Sequence, residues 1–198
     1  MPRICIYAGS SFGASPEYAS AAEEFGTACA QRGLGIVYGA GNVGLMGVLA
    51  NAALAAGGEV IGVIPRVMIS EERAHNQLTE LIPVDSMHER KHRMAELSDS
   101  FVALPGGIGT LEEVIEVFTW LQLGLQLKPV GLLNTGRFYD PLLRLLDHMR
   151  DESFLTPEHH AMLIVENEPK PMLERLLATR HIRIPKPIHY LPDDAGAI

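Results

Sequence analysis

The stretch 104–113 combines a glycine-rich turn with two carboxylates and reads Leu-Pro-Gly-Gly-Ile-Gly-Thr-Leu-Glu-Glu. The apolar run 101–104 predicts a buried strand, and an amphipathic helix is predicted to begin at Thr110. Main-chain N–H groups and the positive end of the helix dipole then meet at the turn, which indicates a phosphate site. Glu112 and Glu113 are expected in the first helical turn. One acid there would only stabilise the helix start, so the second is a candidate catalytic carboxylate.

A second reactive segment, residues 87–94, carries a pair of adjacent cations on a predicted helix just before the strand 101–104. Arg90 and Lys91 could point towards the phosphate site, although local sequence alone favours a solvated basic helix face. His88 and His92 are spaced i, i+4, but no acid or third ligand at useful spacing supports a metal site. We therefore expect no bound metal.

Three further histidines, His75, His159 and His160, are interpreted as ordinary surface or loop residues.

Three glycine-containing loops follow predicted strands and are expected to lie side by side. They are residues 8–11, with two serine hydroxyls, residues 39–44, and the turn within 104–110. A single glycine loop is usually an ordinary turn. Three at neighbouring strand ends predict a crevice of nucleotide size.

Strands and helices alternate along the chain in a way that would position these loops. Strands are predicted at 3–8, 35–38, 60–64, 80–84, 101–104, 129–133 and 162–165. Helices are predicted at 16–32, from the 39–44 loop to Gly57, and at 86–98, 110–123, 138–151, 157–161 and 170–179. Apolar strands without alternation predict a parallel sheet covered on both faces, an α/β doubly wound, Rossmann-like single domain. We expect that domain to span 1–180, followed by an extended tail at 181–198.

Composition and charge narrow the class of protein. The 198 residues carry a formal net charge of −8, which argues against a general nucleic-acid-binding surface but leaves room for a local anion pocket. Cys5 and Cys29 have no disulfide-framework spacing and are interpreted as buried thiols of a reducing compartment. The first residues do not resemble a signal peptide, and no apolar run approaches a membrane span. A cytoplasmic protein without membrane or nucleic-acid partners is expected.

The loop Gly39-x-Gly41-x-x-Gly44 matches a dinucleotide-binding fingerprint, so an oxidoreductase has to be considered. That fingerprint also needs an acid at the end of the next strand to bind the ribose. Glu59 lies at the wrong end of that strand, while Arg66 at the right end could accept a 2′-phosphate. An NADP-dependent enzyme therefore remains a minor alternative, weakened because the match follows the second strand and not the first.

The pairing of Arg90-Lys91 with Pro-Gly-Gly-Ile-Gly-Thr-Leu-Glu-Glu resembles the LONELY GUY (LOG) family. Its members are cytokinin riboside 5′-monophosphate phosphoribohydrolases, many of them once labelled lysine decarboxylases. The stretches that carry the resemblance are 5–11, 38–41, 44–47, 60–65, 86–91, 103–113, 119–124 and 128–134. One departure is Ala40, where the family usually has a glycine. Because alanine resists positive φ, the local backbone is expected to differ there.

The resemblance implies hydrolysis of the N-glycosidic bond of an adenine nucleotide 5′-monophosphate, releasing adenine or an N6-substituted adenine and ribose 5-phosphate. It implies that Arg90 and Glu113 are the catalytic pair. The substrate-binding residues it implies are Ser10, Glu72, Met87, Lys91, Gly106, Gly107, Gly109, Thr110 and Thr119. No metal or organic cofactor is implied. The resemblance also implies a homodimer with shared sites, in which Glu72 or Arg90 of one chain would contribute to the partner's pocket.

Helix 110–123 is also richer in apolar residues than one buried stripe needs, which indicates either association or a fully buried core helix.

Two other functions compete with hydrolysis. A pyridoxal phosphate-dependent decarboxylase needs a Schiff-base lysine, and only Lys91 is a plausible candidate. A nucleotide-type cofactor carrier or sensor would keep the glycine loops but would have no need of a carboxylate near the sugar. The presence of both Glu113 and Arg90 favours the enzyme.

Overall fold

The computed structural model describes residues 1–69 and 74–185, and within them one seven-stranded sheet has the order β4-β3-β2-β1-β5-β6-β7. All of its neighbouring strands run parallel. The strands are β1 Arg3–Tyr7, β2 Gly35–Tyr38, β3 Val60–Pro65, β4 Glu80–Val84, β5 Ser100–Ala103, β6 Val130–Leu133 and β7 Leu163–Glu166. The α/β doubly wound fold predicted from the sequence is confirmed.

The helices that connect the strands lie on both faces of the sheet. They are α1 Pro16–Gln31, α2 Gly44–Ala55, α3 Met87–Glu96, α4 Ile108–Gln122, α5 Asp140–Asp151, α6 Pro157–His160 and α7 Pro169–Ala178. Short 3-10 turns follow β3, at Arg66–Met68, and β6, at Thr135–Arg137. Residues 181–185 have no regular structure, and the remainder of the predicted tail, 186–198, lies outside the described residues.

Two hydrophobic clusters cover the sheet. One contains Phe25 of α1, Leu49 of α2 and Met172 of α7, and the other contains Met94 of α3 and Val114 of α4. Strand β1 contributes to both, because successive side chains of a strand point to opposite faces. Its Ile4 and Ile6 join the first cluster, whereas Cys5 and Tyr7 join the second.

The chain changes direction across the sheet at β1. Strands β1 to β4 add outward on one side, and β5 then returns to pair with the opposite edge of β1. In an open parallel sheet, this switch point leaves a crevice beyond the carboxyl ends of the two strands. The fold therefore assigns the ligand crevice to the loops after β1 and β5.

Most predicted boundaries agree with the structure to within about two residues, the usual disagreement at element ends. The informative difference is at α4, which begins at Ile108 and not at Thr110, with Gly107 as its N-cap residue. The turn is complete at the first two glycines of the motif, so the helix begins directly after them. No helix of the described residues is long and apolar enough to cross a membrane.

Candidate active site

Three loops meet at the switch point. The backbone N–H of Gly9, after β1, donates to the carbonyl of Pro105, after β5, at 3.1 Å. The carbonyl of Gly9 accepts from the N–H of Met46 in the first turn of α2, at 3.3 Å. A Cβ on Gly44 would overlap the backbone of Ser10, so the loop after β2 packs directly on the loop after β1. The structure thus brings together the three glycine loops singled out in the sequence.

The loop after β5 is rigid on one side and open on the other. The hydroxyl of Tyr139 donates to the carbonyl of Leu104 at 2.6 Å, which anchors the strand end beneath the loop. The side chain of the buried Thr110 fills the space where a Cβ of Gly106 would lie. At Gly107 and Gly109, by contrast, a Cβ would meet no heavy atom within 4 Å. A ligand oxygen can therefore approach the main chain at these two glycines.

The N-terminus of α4 points its unpaired N–H groups into this open space, as the first turn of any helix does. Because α4 begins at Ile108, Glu112 and Glu113 lie in its second turn, and its first turn contains no acid. The prediction that both acids sit in the first turn was therefore wrong. The helix dipole acts mainly within the first turn, so it does not explain the presence of these two carboxylates.

Arg90 is buried, and the prediction of a solvated basic face for α3 was wrong in this respect. Its side chain is 6% exposed, and its Nη2 donates to the carbonyl of Gly39 at 3.3 Å. A Cβ on Gly39 would overlap this guanidinium. Arg90 and Met94, one turn apart, form the buried face of α3. The N-cap residue Ser86, whose hydroxyl accepts from the N–H of Glu89 at 3.1 Å, begins the helix.

Arg90 and Glu113 lie on the same face of the sheet, on either side of β1. The Cys5 thiol of that strand is close enough to both to be affected by their charges: its pKa is raised to about 12, mainly by burial, and Glu113 contributes to the rise whereas Arg90 opposes it. Burial also raises the pKa of the neighbouring Tyr7 hydroxyl, with a further contribution from Glu113. Long-range packing thus places a guanidinium and a carboxylate on one face of the sheet, one from each side of the switch point.

Lys91 is oriented towards α4 and not towards the open glycines. Its Nζ donates to Glu112 and, at 3.0 Å, to Glu116. Burial acts to lower the pKa of Lys91, but the two carboxylates outweigh it and the pKa is raised. Lys91 is therefore a permanently charged bridge between α3 and α4 in this chain.

The remaining site residues expected from the sequence fall into three groups. Ser10 and Met87 are exposed at the crevice, and the sulfur of Met87 accepts from Nη1 of Arg90 at 3.7 Å. Thr119 is exposed and donates to the carbonyl of Ile115. It lies nine residues along α4 from Thr110, or about 14 Å, so the fold does not bring it to the crevice of the same chain. Glu72 lies outside the described residues.

The geometry argues against the dinucleotide-binding alternative. In that fingerprint the second glycine lets the main chain approach the pyrophosphate, but the space beside Gly41 is occupied by the side chain of Met46. Arg66, the candidate for a 2′-phosphate, forms an exposed ion pair with Asp85 at 3.1 Å. Among the described residues, no group of three or more His, Cys, Asp or Glu side chains could hold a metal ion.

Two features near the site differ from expectation. His75 is buried, not exposed: its Nδ1 accepts from the N–H of Gln77, and its Nε2 lies 3.0 Å from Oδ1 of Asn51. Its own backbone N–H donates to the carbonyl of Ala40 at 2.9 Å, which fastens the segment after 74 onto the glycine loop. Ala40 itself adopts a φ of 66°, so the backbone keeps the glycine-type conformation at a cost of about 1 kcal/mol.

His159 is also fully buried, with its ring contacting Thr156 and the carbonyl of Ile184. Sequence reasoning missed both buried histidines, since neither lies in an apolar pattern. The one feature of the sequence that could have indicated a polar partner for His75 was the asparagine Asn51, on the otherwise apolar helix α2.

Comparison with known sequences finds one matching family model and several relatives that share one enzyme name. A family model described as "Possible lysine decarboxylase" matches residues 46–176. A cytokinin riboside 5′-monophosphate phosphoribohydrolase of Rhodococcoides fascians is 49% identical over 163 residues, which cover 82% of each chain. The enzyme of that name designated LOG1 from Arabidopsis thaliana is 43% identical over 174 residues, covering 88% of this chain and 82% of the relative. The LOG enzyme of Oryza sativa subsp. japonica is 46% identical over 162 residues, covering 82% and 67%.

Comparison with solved structures supports the fold at lower sequence identity. The molybdenum cofactor carrier protein of Chlamydomonas reinhardtii superposes with a TM-score of 0.65 at 22% identity, covering 90% of this chain and 99% of that one. The molybdenum cofactor binding protein of Rippkaea orientalis gives a TM-score of 0.65 at 24% identity, covering 89% and 96%. At these identities the likeness extends to the fold alone.

Proposed function

This chain belongs to the LOG family of cytokinin riboside 5′-monophosphate phosphoribohydrolases, and we propose that it acts in this way with Arg90 and Glu113 as its catalytic pair. The reaction hydrolyses the C1′–N9 bond of an N6-substituted adenosine 5′-monophosphate. It releases the free base and ribose 5-phosphate. The observation that carries the assignment of the pair is the burial of Arg90 on the same face of the sheet as Glu113, with β1 between them.

The phosphate is proposed to bind at the N-terminus of α4. Gly107 and Gly109 leave open space there, and the first N–H groups of the helix have no helical partner. Gly106 and Thr110 support the turn from below. A phosphate seated at this point directs the ribose towards the second turn of α4, which carries Glu113.

Glu113 is proposed to act on the sugar. Cleavage of the C1′–N bond builds positive charge on the ribose ring, as in glycoside hydrolysis through an oxocarbenium-like transition state. A carboxylate beside C1′ stabilises that charge and can orient or deprotonate the attacking water. Loss of Glu113 is therefore expected to reduce the rate far more than the affinity for substrate.

Arg90 is proposed to supply a fixed positive charge beside the reacting nucleotide. Its guanidinium is too weak an acid to protonate a departing purine, so it acts by binding or orienting groups. The Gly39 carbonyl and the sulfur of Met87 hold its two terminal nitrogens in place. The base then receives its proton from water or from a carboxylic acid.

The other binding residues are proposed from the family resemblance. Ser10 and Met87 would contact the nucleotide within the crevice of one chain, and Glu72 would complete it from a second copy. Because Thr119 lies about 14 Å along α4 from Thr110, we propose that it too contributes from the second copy. Half-buried and exposed apolar side chains on and after α4, among them Trp120, support such an association. We propose a homodimer with shared sites, tested by light scattering coupled to size-exclusion chromatography.

A cytoplasmic location without nucleic-acid partners is proposed on separate grounds. Cys5 and Cys29 are both buried free thiols, as is usual in a reducing compartment. The net charge of −8 does not favour binding to a polyanion. Nuclease protection and fractionation assays would test these two points.

Lysine decarboxylation is disfavoured by the state of Lys91. A Schiff-base lysine has to lose its proton to attack the cofactor aldehyde. Lys91 instead has a raised pKa because of Glu112 and Glu116, which together outweigh its burial. The chain therefore lacks, at its one candidate position, the lowered lysine pKa that this chemistry needs.

Chromatography of reaction products tests the proposed function. Wild-type protein is incubated with AMP or N6-isopentenyl-AMP without added cofactor, next to Glu113→Gln and a control, Glu174→Gln. Glu174 is an exposed acid whose pairing with Arg32 lies away from the crevice. We expect base and ribose 5-phosphate from the wild type and the control. The Glu113 variant should be roughly 100- to 10,000-fold slower.

Intact nucleotide after long incubation with folded wild-type protein would contradict hydrolysis. Binding of nucleotide without cleavage would then favour a carrier or sensor.

A further inference from the structure

An ion-pair bridge links the two helices that carry the proposed catalytic pair. Lys91 of α3 donates to Glu112 and Glu116 of α4. Arg90 precedes Lys91 in the chain, and Glu113 follows Glu112. The Lys91–Glu112 contact therefore joins the immediate neighbours of the two residues whose relative position the chemistry needs, and the Lys91–Glu116 contact reaches α4 about one turn after Glu113.

The two helices rest on different halves of the sheet. Helix α3 packs on β3 and β4, whereas α4 packs on β5, β6 and β1. The switch point between β1 and β2 on one side and β5 on the other lies between these two sets of contacts. Packing on the sheet alone holds each helix on its own half, so a cross-link at this end of the helices sets the separation between their side chains.

Within the bridge, Glu116 is better shielded than Glu112. The side chain of Lys91 is 11% exposed, that of Glu116 is 29% exposed, and that of Glu112 is 52% exposed. Solvent and salt screen an exposed ion pair more than a shielded one. Glu116 also lies one turn after Glu112 on α4. Its negative charge contributes to the raised pKa of Tyr7, beneath the crevice.

We propose that Glu116 is a positioning residue for catalysis: by holding Lys91 against α4, it fixes Arg90 relative to Glu113. This inference rests on the proposed function, because it assumes that these two groups act together on the nucleotide. It assigns Lys91 a structural link where the family resemblance implies a substrate contact. Two carboxylates face one ammonium in this cluster, so its local charge does not favour binding of a phosphate.

Steady-state kinetics of Glu116→Gln tests the proposal. The variant keeps the size of the side chain and removes its charge, so α3 and α4 lose their shielded cross-link. We expect kcat to fall roughly 10- to 100-fold, as for other small displacements of reacting groups. The KM for N6-isopentenyl-AMP should change by less than about twofold, since the phosphate site is untouched. A partly exposed ion pair contributes little to stability, so Tm should fall by less than about 4 °C.

A double-mutant cycle with Lys91→Met shows whether the two residues act through one another. If they do, the double variant is no slower than either single variant, because each change alone already breaks the link. Glu174→Gln, which removes an exposed paired acid elsewhere, serves as the matched control and should keep wild-type kcat. Calorimetric titration with ribose 5-phosphate, the product that carries the phosphate, should give the same affinity for wild type and Glu116→Gln.

Each remaining outcome overturns one statement. A wild type that cleaves nucleotide while Glu116→Gln has the same kcat overturns the positioning role alone. A Lys91→Met variant with raised KM and unchanged kcat also overturns it and identifies Lys91 as a phosphate ligand. A wild type that cleaves no nucleotide overturns the proposed function, and the positioning role with it.

Discussion

The two ends of the parallel strands both carry charged or polar groups but differ in how those groups are arranged. We call them the amino edge, where the strands begin, and the carboxyl edge, where the strands end. At the amino edge, a cavity of about 750 Å³ is lined by several charged side chains. They are Arg3, Asp99, Lys128 and Arg180. At the carboxyl edge, the crevice between β1 and β5 is formed mainly by glycine loops and helix starts. On cavity size and charge alone, the amino edge would be the candidate site.

The charged groups of the amino edge are already matched by other groups of the fold. Arg3 forms two hydrogen bonds with Glu59, and its backbone N–H donates to Asp99. Lys128 donates to the carbonyl of Ala95 and lies 5.9 Å from the ring centroid of Phe101. These contacts stabilise the sheet edge and leave no donor set organised around an open point.

The carboxyl edge is organised around such a point. Gly107 and Gly109 face open space at the start of α4, and Arg90 is held rigidly by a backbone carbonyl. What distinguishes a site from a cleft is therefore preorganised polar groups directed at one position, not volume. Four predictions test this contrast.

The largest effect is expected from exchanging one arginine at each edge for lysine. Arg90→Lys removes the planar donor fork from the crevice, and kcat/KM should fall roughly 100- to 1000-fold. Arg3→Lys at the amino edge should leave the activity within about twofold of wild type. The release of free base, followed by chromatography, measures both. Equal losses in the two variants would show that the edges are not functionally distinct.

The next largest effect is expected from alanine at two glycines of the carboxyl edge. Gly39→Ala would displace Arg90 and should lower kcat by roughly 10- to 100-fold. Gly107→Ala places its Cβ in open space, with a backbone φ of −88° that alanine accepts, so stability should be kept. Its KM should rise roughly tenfold, because the methyl group takes up room needed by the phosphate.

Kinetics and thermal unfolding of both variants separate these effects. An unchanged KM in Gly107→Ala would place the phosphate elsewhere.

A smaller effect is expected from the buried histidine behind the glycine loop. Burial lowers the pKa of His75 below its ordinary value of 6.5. The unfolded chain therefore binds a proton near pH 6.5 that the native state binds only at lower pH. The contribution of His75 to the free energy of unfolding is therefore complete above pH 6.5. It is lost as the pH falls, with a slope of up to about 1.4 kcal/mol per pH unit.

Urea unfolding at pH 7, 6 and 5 tests this dependence. His75→Gln should be less stable at pH 7 by about 1–3 kcal/mol and should lose less stability on acidification than the wild type. A variant with the same pH dependence as the wild type would show that His75 does not contribute to it.

The smallest effect is expected at the amino edge, from Glu59→Gln. The hydrogen bond with Arg3 lowers the pKa of Glu59 below its ordinary value of 4.5. The contribution of Glu59 to the free energy of unfolding is therefore complete above pH 4.5, and it is lost as the pH falls through the lowered pKa. At pH 7 the variant should be less stable by about 1 kcal/mol or less, since the pair is partly exposed. Activity should be unchanged, and a loss of activity would assign the amino edge a role.

The fold was predictable from the sequence because its signals are local. Apolar runs, the proline that begins α1 and the glycines that end helices depend on neighbouring residues, so most elements were placed correctly. The start of α4 was placed two residues late, since a glycine such as Gly109 can belong either to a turn or to a first helical turn.

The candidate site was predictable only in part. The glycine motif and the two acids were visible in the sequence, but the burial of Arg90 was not. Its partner, the carbonyl of Gly39, lies 51 residues away in the chain. Likewise, the sequence does not show that Lys91 is paired, because its partner Glu116 lies 25 residues further along the chain.

The order of strands and helices, the position of the glycine loops at strand ends, and the family can all be read from the amino-acid sequence. These follow from short-range patterns and from a motif whose residues are close together in the chain. By contrast, the fold had to be known before it was clear which cation is buried at the crevice, which one bridges two helices, and which histidine holds the glycine loop. Such choices depend on burial and on partners distant in sequence, because a charge is positioned by whatever group the fold brings within hydrogen-bonding distance.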